Sequence, residues 1–259
     1  MSFFMADWPA PGRVRTLIST RKGGLSRNNF QSNNLAYHVN DDPQAVAANR
    51  RQLGGAMAGA TNIQWLQQVH GTDLVIAAGG DGTPEADGSL TREPGMACAI
   101  LTADCLPILL CNRQATQVAA VHAGWRGLAA GILVAAIDRF ADRAVDILVY
   151  LGPAISQKHF EVGPEVRQAF QEAPFVQGQE TQGQGNAYQA ALVQAFAASD
   201  HHGRLCADLY GIARAQCNAM GVKAVYGGEF CTFDDSDRFY SYRRDGQTGR
   251  MASLIWLTD

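Results

Sequence analysis

Residues 96–127 read MACAILTADCLPILLCNRQATQVAAVHAGWRG and contain three apolar runs in close succession. The runs Met96–Ala103, Pro107–Cys111 and Val118–His122 have the length of strands, and the connections between them are too short for crossover helices. Parallel neighbours need a dozen or more connecting residues, so we predict that these strands lie side by side in antiparallel orientation. The region therefore predicts a fold built on a sheet.

Short β-rich segments and longer helical patterns occur on both sides of this region. Further strands are predicted at Val14–Ser19, Gln64–Val69, Leu74–Ala77, Ile147–Leu151, Val222–Tyr226, Tyr240–Arg244 and Ala252–Leu257. Helices are predicted at Pro43–Met57, Leu128–Phe140, Pro164–Glu172, Ala187–Ser199 and Asp208–Met220. Because the helices occur in blocks rather than after every strand, we predict an α+β fold, a layered sandwich of mixed, largely antiparallel sheet with flanking helices.

The composition is that of a globular protein with a large core. Of 259 residues, 47% are hydrophobic and 17% are charged, and we expect a single domain spanning residues 1–259. The net charge of −3 without a basic run argues against nucleic acid or an anionic membrane as the main partner. We find no signal peptide and no apolar run of the ~20 residues that a membrane span needs, so we expect a cytoplasmic, monomeric protein with six reduced cysteines.

Two polar stretches are predicted to be loops. The Gln/Gly-rich stretch Gln177–Asn186 has no apolar period and indicates a surface loop. The Gly-rich stretch Gly79–Gly95 lies between two residues that can bind a metal, and it is a candidate lid.

Three apolar segments end close to a side chain that can bind a metal, and a small residue lies near each of these side chains. These side chains are His70, Cys105 and His122. Strand ends at one rim of a sheet can aim three side chains at a common point. Two imidazoles and a thiolate suit zinc, and three protein ligands leave a fourth position for water or substrate. We therefore predict a catalytic metal site.

The same residues allow other interpretations. A lone histidine at a strand end is often structural, and a buried cysteine is often a small hydrophobic residue. Alternatively, Cys105 is a nucleophile with His122 or His70 as its base. Metal binding and nucleophilic attack exclude each other, because a coordinated thiolate is not free to attack.

Four further residues are candidates for the chemistry. Asp104 is either an acid/base group or a hydrogen-bond partner of a ligand histidine, and otherwise a turn residue. Arg50 lies on the apolar stripe of its predicted helix, where it either extends to water or points into a polar cavity. Arg126, and Arg21 in the Thr20–Gly24 turn, could bind an anion or simply face solvent.

The chain resembles the YfiH family, also called the polyphenol oxidase or laccase-domain family. The segments that carry the resemblance extend almost from end to end of the chain: Ser19–Ser26, His38–Pro43, Asn49-Arg50, Gln67–Thr72, Leu101–Pro107, Val121–Gly127, Leu151–Ile155 and Phe239–Gly246. The segment Ser32–Asp42 lacks two glycines of the usual family pattern, and Asn34 within it is a candidate substrate-binding residue.

The resemblance implies a mononuclear zinc held by His70, Cys105 and His122, on an α+β sandwich similar to the catalytic domain of cytotoxic necrotizing factor. It implies phosphorolysis of adenosine, inosine, guanosine and methylthioadenosine, and deamination of adenosine. The expected partners are a nucleoside and phosphate, and Arg50, Arg21 and Arg126 could supply the phosphate subsite.

The same residues are compatible with three other functions. A laccase-like copper oxidase is possible because copper also accepts a His₂Cys ligand set, although the six histidines of the chain are too few for four coppers ligated in the usual way. An amide hydrolase, dependent on cysteine or zinc and acting on a peptidoglycan precursor, is the alternative from another reaction class. A zinc-stabilised binding module would need a fourth protein ligand. The nucleobase deaminase signature, H-x-E together with P-C-x-x-C, is absent because the chain has no P-C-x-x-C segment.

Overall fold

A computed structural model describes residues 2–79, 82–173 and 185–259. Its strands, β1 to β14, are Phe3–Phe4, Val14–Ser19, Asn62–Gln64, Leu74–Ile76, Gly88–Thr91, Met96–Thr102, Leu106–Asn112, Val118–Ala123, Ile147–Leu151, Glu161–Val162, Phe196–Ala198, Leu205–Ala207, Ala224–Gly227 and Met251–Leu257. Its α-helices, α1 to α7, are Pro43–Gly55, Trp125–Ala130, Ile132–Asp138, Pro164–Gln171, Gly185–Gln194, Leu209–Ala219 and Tyr242–Asp245. The loop predicted at Gln177–Asn186 lies outside the described residues, except for its last two residues, which begin α5.

The strands form two large sheets and one small one. The strand order is β1-β2-β14-β6-β3 in the five-stranded sheet, β13-β9-β7-β8-β5-β4 in the six-stranded sheet and β10-β12-β11 in the small sheet. Most pairs are antiparallel, and β3–β6, β4–β5 and β9–β13 are parallel. The predicted α+β class with mixed, largely antiparallel sheet is therefore confirmed, while the likeness to cytotoxic necrotizing factor and the single domain stay predictions.

The prediction that the first two strands of the 96–127 region pair with each other is wrong. Strand β6 belongs to the five-stranded sheet and β7 to the six-stranded sheet, whereas β7 and β8 pair antiparallel as predicted. All residues of β6 and β7 are buried, so both faces of each strand need apolar cover. Stacking the two sheets provides that cover, and residues 103–105 carry the chain from one sheet to the other.

The core consists of three main apolar clusters, one between the two large sheets and one on the outer face of each. Between the sheets, Cys98 and Ile100 of β6 belong to the same apolar cluster as Leu109 of β7. On the outer face of the five-stranded sheet, α1 packs through Leu53. On the outer face of the six-stranded sheet, the cluster includes residues of α2 to α6, such as Leu133. Each fully buried leucine contributes about 1.5–3 kcal/mol to stability.

Several predicted elements differ in type or extent. The strand predicted at Tyr240–Arg244 is instead the short helix α7, which Ser241 caps by accepting a hydrogen bond from Arg244 N. The helix predicted at Leu128–Phe140 is two helices, because Gly131 lies between them with a φ of 100°. The helix predicted at Ala187–Ser199 ends at Gln194, and β11 follows it. In the described parts of the chain, no helix is both long and apolar enough to span a bilayer.

Candidate metal centre and active site

The sandwich edge where β6 crosses to β7 brings the three predicted metal ligands together. Cys105 lies in the crossing, and the β7–β8 register sets His122 opposite Pro107, two residues further along. The strand predicted at Gln64–Val69 is observed as β3, which ends at Gln64. Beyond it, the Gln68 side-chain amide donates to Leu101 O and accepts from Leu101 N, at 2.8 Å each, in place of backbone pairing. The chain is then free to turn at His70.

His70 and Asp104 both have left-handed backbone conformations, with φ of 64° and 90°. Such conformations are uncommon for residues other than glycine and cluster at functional sites. In this fold they turn the chain at the edge of the sandwich, where the side chains of both residues line the same cavity.

The three donor atoms have spacings that suit one metal ion. His70 Nε2 lies 3.8 Å from Cys105 Sγ, and the rings of His70 and His122 are 4.7 Å apart at 73°. The nitrogen and sulfur atoms of all three lie within 4.8 Å of one another. Tetrahedral zinc, with bonds of about 2.1 Å to nitrogen and 2.3 Å to sulfur, holds its ligand atoms roughly 3.6 Å apart. The three spacings are thus close to those around a bound ion, and the exposed His70 ring has room to rotate.

Asp87 organises two of these three residues, and the sequence analysis missed it. Its carboxylate is fully buried and accepts hydrogen bonds from His122 Nδ1 at 2.7 Å and from the backbone N–H groups of Val69, His70 and Gly71. Burial opposes ionisation, but these donors outweigh it and lower the pKa of Asp87. With Nδ1 bonded to Asp87, His122 keeps Nε2 as its ligand atom.

Gly124 lies directly beneath the donor atoms. A Cβ at this position would be 2.7 Å from His70 Cδ2 and 3.2 Å from Cys105 Sγ. The absence of a side chain in the His-Ala-Gly segment therefore allows the histidine and the cysteine to approach each other.

The donors also influence each other's protonation. Burial disfavours the charged thiolate, but His122 and His70 outweigh this effect and lower the pKa of Cys105. Burial likewise disfavours the imidazolium, while Cys105 and Asp87 raise the pKa of His122. The histidines therefore favour the thiolate form of Cys105. A thiolate is the form that binds a metal or attacks a carbonyl.

These residues line a cavity of about 440 Å³, the size of sites for small organic ligands. The other lining residues are His38, Gln68, Leu101, Thr102, Ala103, Asp104, Ile155, Phe160, Tyr242, Arg243 and Arg250.

Both carboxylate oxygens of Asp104 accept hydrogen bonds, since Thr232 Oγ1 donates to one at 2.6 Å and Arg243 N donates to the other at 2.7 Å. Through the bond to Arg243 N, Asp104 holds helix α7 next to the cavity.

Arg243 and Arg250 are the two arginines of the cavity, and the sequence analysis did not single out either. Arg243 is exposed and donates to Glu161 O at 2.8 Å, while its guanidinium lies 5.4 Å from the Phe160 ring centre. Arg250 donates to the carbonyls of Thr248 and Gly249. Burial lowers the pKa of Arg250, and the charges of Cys105 and Asp104 oppose that shift.

Arg50 lies beside the cavity and is not among its lining residues. Its guanidinium stacks over Trp65 at 3.8 Å and over Tyr37 at 4.6 Å, and Nε donates to Leu35 O at 2.8 Å. Burial lowers its pKa to about 10, and the charge of Tyr37 opposes the shift. The pKa of His38 is lowered by burial first and then by Arg250 and Arg50, so Arg50 adds positive potential near the cavity. Its predicted catalytic role stays a prediction.

The three predicted substrate-binding residues do not line this cavity. Arg21 bonds the carbonyls of Gln31 and Ser236. Asn34 is fully buried, and its side chain bonds backbone groups of Ala36 and Arg250 and the Asp41 carboxylate. Arg126 is exposed and stacks on Trp125.

The predicted lid at Gly79–Gly95 contributes no described residue to the cavity lining. Residues 80 and 81 lie outside the described residues, and the rest includes β5 and Asp87. In the described part, the contribution of this stretch to the site is therefore the Asp87 carboxylate beneath the histidines.

Comparison with known proteins identifies the family. The family model described as multi-copper polyphenol oxidoreductase laccase matches residues 15–258. A purine nucleoside phosphorylase of Pseudomonas aeruginosa is 50% identical over 98% of this chain and 97% of its own, and the Escherichia coli purine nucleoside phosphorylase YfiH is 44% identical over 97% of each. A crystal structure of a Neisseria meningitidis protein superimposes with a TM-score of 0.89 at 45% identity, covering 100% of both chains. The chain belongs to the YfiH family of laccase-like polyphenol oxidoreductases, and its named relatives are enzymes.

Proposed function

We propose that this protein is a zinc-dependent purine nucleoside phosphorylase that acts on adenosine, inosine, guanosine and methylthioadenosine, and that it also deaminates adenosine. The observation that carries the proposal is the composition of one cavity, in which a His₂Cys donor set and two arginines line the same space of about 440 Å³. The names of the Pseudomonas and Escherichia relatives support the reaction class.

The donor set fits zinc. His70, Cys105 and His122 would hold the ion, with Gly124 providing room and Asp87 orienting His122. Two nitrogens and one thiolate leave an open coordination position, as in catalytic zinc sites. Bound there, zinc would act as a Lewis acid that polarises an oxygen or activates a water.

The remaining residues suit a nucleoside and phosphate. Phosphorolysis joins a phosphate oxygen to ribose C1′ while the bond from C1′ to the purine nitrogen breaks, giving ribose 1-phosphate and a purine that takes up a proton. Arg243 and Arg250 each have five N–H donors, more than their backbone bonds use, and so can hold phosphate. Phe160 and Tyr242 offer aromatic faces for the purine.

Asp104 is the predicted acid/base residue nearest to these groups. Both of its oxygens accept hydrogen bonds, from Thr232 and from the Arg243 backbone. We assign it the positioning of α7, and with it Tyr242 and Arg243, and we retain proton donation to the departing purine as its second proposed role. Arg50 is proposed to raise the positive potential around the phosphate from beside the cavity.

Product analysis in two buffers tests the proposal. In phosphate, adenosine should yield adenine and ribose 1-phosphate, and inosine should form more slowly. In a non-nucleophilic buffer, adenine formation should stop while inosine formation continues, because water is the nucleophile of deamination. Intact adenosine, inosine and methylthioadenosine after incubation of the zinc-loaded protein in phosphate would refute the purine nucleoside function.

An amide hydrolase that edits a peptidoglycan precursor is the second candidate. The lowered pKa of Cys105 beside His122 favours it, because a nucleophilic cysteine requires the same pairing. Inactivation by iodoacetamide that persists at saturating zinc would support this function, since coordination should protect the thiolate.

A copper-dependent polyphenol oxidase is the third candidate, favoured by the description of the matching family model. His₂Cys is also a ligand set for copper. Oxidation of a phenol that requires copper and is abolished by Cys105→Ala would support it.

A further inference from the structure

A second group of side chains that can bind a metal lies behind the part of the cavity lined by Asp104 and Phe160. His159 ends the short turn Gln157–His159, and Cys231 and Asp234 belong to the segment that follows β13. One nitrogen, one sulfur and one oxygen of these residues lie within 4.8 Å of one another. They do not line the cavity and share no residue with the His70, Cys105 and His122 centre.

The imidazole of His159 is fixed, yet its Nε2 makes no hydrogen bond. The ring stacks on Phe233 with centres 4.3 Å apart and planes at 11°, and its side chain is 18% exposed. Nε2 is buried and lies 2.7 Å from Asp234 Oδ1, the distance of an ion pair when the ring is protonated. A stacked imidazole whose nitrogen lies close to a carboxylate oxygen and a thiol presents three donor atoms to one point.

We propose that His159, Cys231 and Asp234 form a second binding site for a divalent metal ion of the zinc class. Nitrogen, sulfur and carboxylate oxygen are the three donor types that zinc takes in proteins. Ser156 Oγ donates to Cys231 Sγ at 3.0 Å and the backbone N–H of Asp234 donates to it at 3.5 Å, as partners of a metal-bound thiolate do. The Asp234 side chain is 52% exposed, so it can shift to its ligand position and leave the ion a path of entry.

The bound ion would act as a brace for the cavity wall. It would join the Gln157–His159 turn to the segment around Thr232. Thr232 donates to Asp104, and Phe160, next to His159, lines the cavity. The ion would thereby hold two parts of the wall in place without contacting the substrate, and the inference does not depend on the reaction performed there.

Cobalt titration of the Cys105→Ala protein tests the proposal, because that variant has no thiolate at the first centre. Added Co²⁺ should give a thiolate-to-cobalt absorption band that saturates and should raise the melting temperature. The double variant with Cys231→Ser should lose the band and the rise in melting temperature. The double variant with Cys206→Ser, another partly exposed cysteine, should keep both.

Two results would overturn the second site. One is the absence of a thiolate band in the Cys105→Ala protein. The other is an undiminished band in the folded Cys231→Ser double variant. If that double variant does not fold, Asp234→Asn in the Cys105→Ala background replaces it, because an exposed side chain tolerates the change. It should weaken cobalt binding at least several-fold, and unchanged binding would also overturn the proposal.

Discussion

The two walls of the cavity are built differently. The ligand wall comprises His70, Cys105 and His122, and the buried Asp87 carboxylate lies behind it and accepts hydrogen bonds from four donors. The arginine wall comprises Arg243 and Arg250, which are exposed or partly exposed and whose guanidinium groups bond backbone carbonyls.

This difference implies a division of labour. The ligand wall lies at strand ends between two packed sheets, and rigid elements hold reactive groups with the precision that chemistry requires. The arginine wall lies on the four-residue helix α7 and on the residues before β14, where small movements can follow a ligand. Changes on the ligand wall should therefore remove metal and lower kcat, whereas changes on the arginine wall should raise KM.

Cys105→Ala should have the largest effect. It removes the one sulfur donor of the first centre, so the zinc content of the purified protein should fall by close to one ion per chain. Because a catalytic metal supplies several kcal/mol of transition-state stabilisation, activity should fall on the order of 1000-fold or more. Metal analysis and ribose 1-phosphate release measure the two effects. Cys206→Ala, at a partly exposed cysteine outside the cavity lining, is the control and should change neither. Full zinc at this centre in Cys105→Ala would contradict the ligand assignment.

Asp87→Asn should have the second-largest effect on metal affinity and activity. The amide has the shape of the carboxylate but presents N–H donors to a site that already supplies four donors. Loss of such an outer partner costs about 10–100-fold in metal affinity or activity. Competition with a zinc chelator measures the affinity, and kcat should fall while KM for phosphate stays the same. Asp142→Asn, which alters a hydrogen bond to Asn112 outside the cavity lining, is the matched control. Wild-type zinc affinity in folded Asp87→Asn would show that the carboxylate is only structural.

Gly124→Ala should disturb the ligand wall without removing a donor. The new Cβ would meet His70 Cδ2 at 2.7 Å and would push His70 and Cys105 apart. We expect zinc affinity to fall by about 10-fold, at the lower end of the loss for a disturbed ligand environment, while the melting temperature stays nearly unchanged. Gly54→Ala in α1 meets nothing within 4 Å and should stabilise the protein by about 0.5–1 kcal/mol. Equal zinc affinity in both variants would mean that the space left by the missing side chain of Gly124 is not needed for metal binding.

Arg250→Gln and Arg243→Gln test the arginine wall. A hydrogen bond to a charged group contributes about 1.5–3 kcal/mol, so each variant should raise KM for phosphate roughly 10-fold or more, with zinc content unchanged. Steady-state kinetics at varied phosphate measure the effect. Arg126→Gln, outside the cavity lining, should leave KM unchanged. If Arg126→Gln alone raised KM, the phosphate subsite would lie where the sequence analysis predicted it.

Arg50→Lys should have the smallest effect on activity. Lysine keeps the charge, and therefore most of the positive potential near His38. It loses the planar guanidinium, with its N–H donors and its stacking on Trp65 and Tyr37. We expect a loss of about 1–2 kcal/mol in stability from the stacked, partly desolvated site and less than a several-fold change in kcat. A large fall in kcat in a stably folded variant would instead support the direct catalytic role predicted from the sequence.

The sequence marks each residue of the ligand wall locally, and the structure brings the three donor atoms together. His70, Cys105 and His122 each lie at or near the end of an apolar run with a small residue nearby, and that pattern depends only on neighbours in the chain. Asp87 carries no such mark, because its donors come from segments 16 to 35 residues away. The sequence pattern therefore indicates only that Asp87 belongs to a polar, Gly-rich stretch.

The arginine wall and the strand pairing could not be read in the same way. Arg243 and Arg250 look like ordinary surface arginines until α7 folds over the cavity, although Ser241 and Gly246 do mark the two ends of that short helix. A short connection between two buried strands is compatible with pairing in one sheet or with stacking of two sheets. The choice between these depends on β14 and β3, which flank β6, and β9, which pairs with β7.

The rate of ribose 1-phosphate formation from inosine, before and after removal of the metal, tests the central claim most directly. The purified chain is assayed in phosphate, then after dialysis against a chelator, and then after zinc is restored. We predict that the rate falls to background without metal and returns with zinc. An undiminished rate in the metal-free protein, or no ribose 1-phosphate from the zinc-loaded protein, would contradict the account.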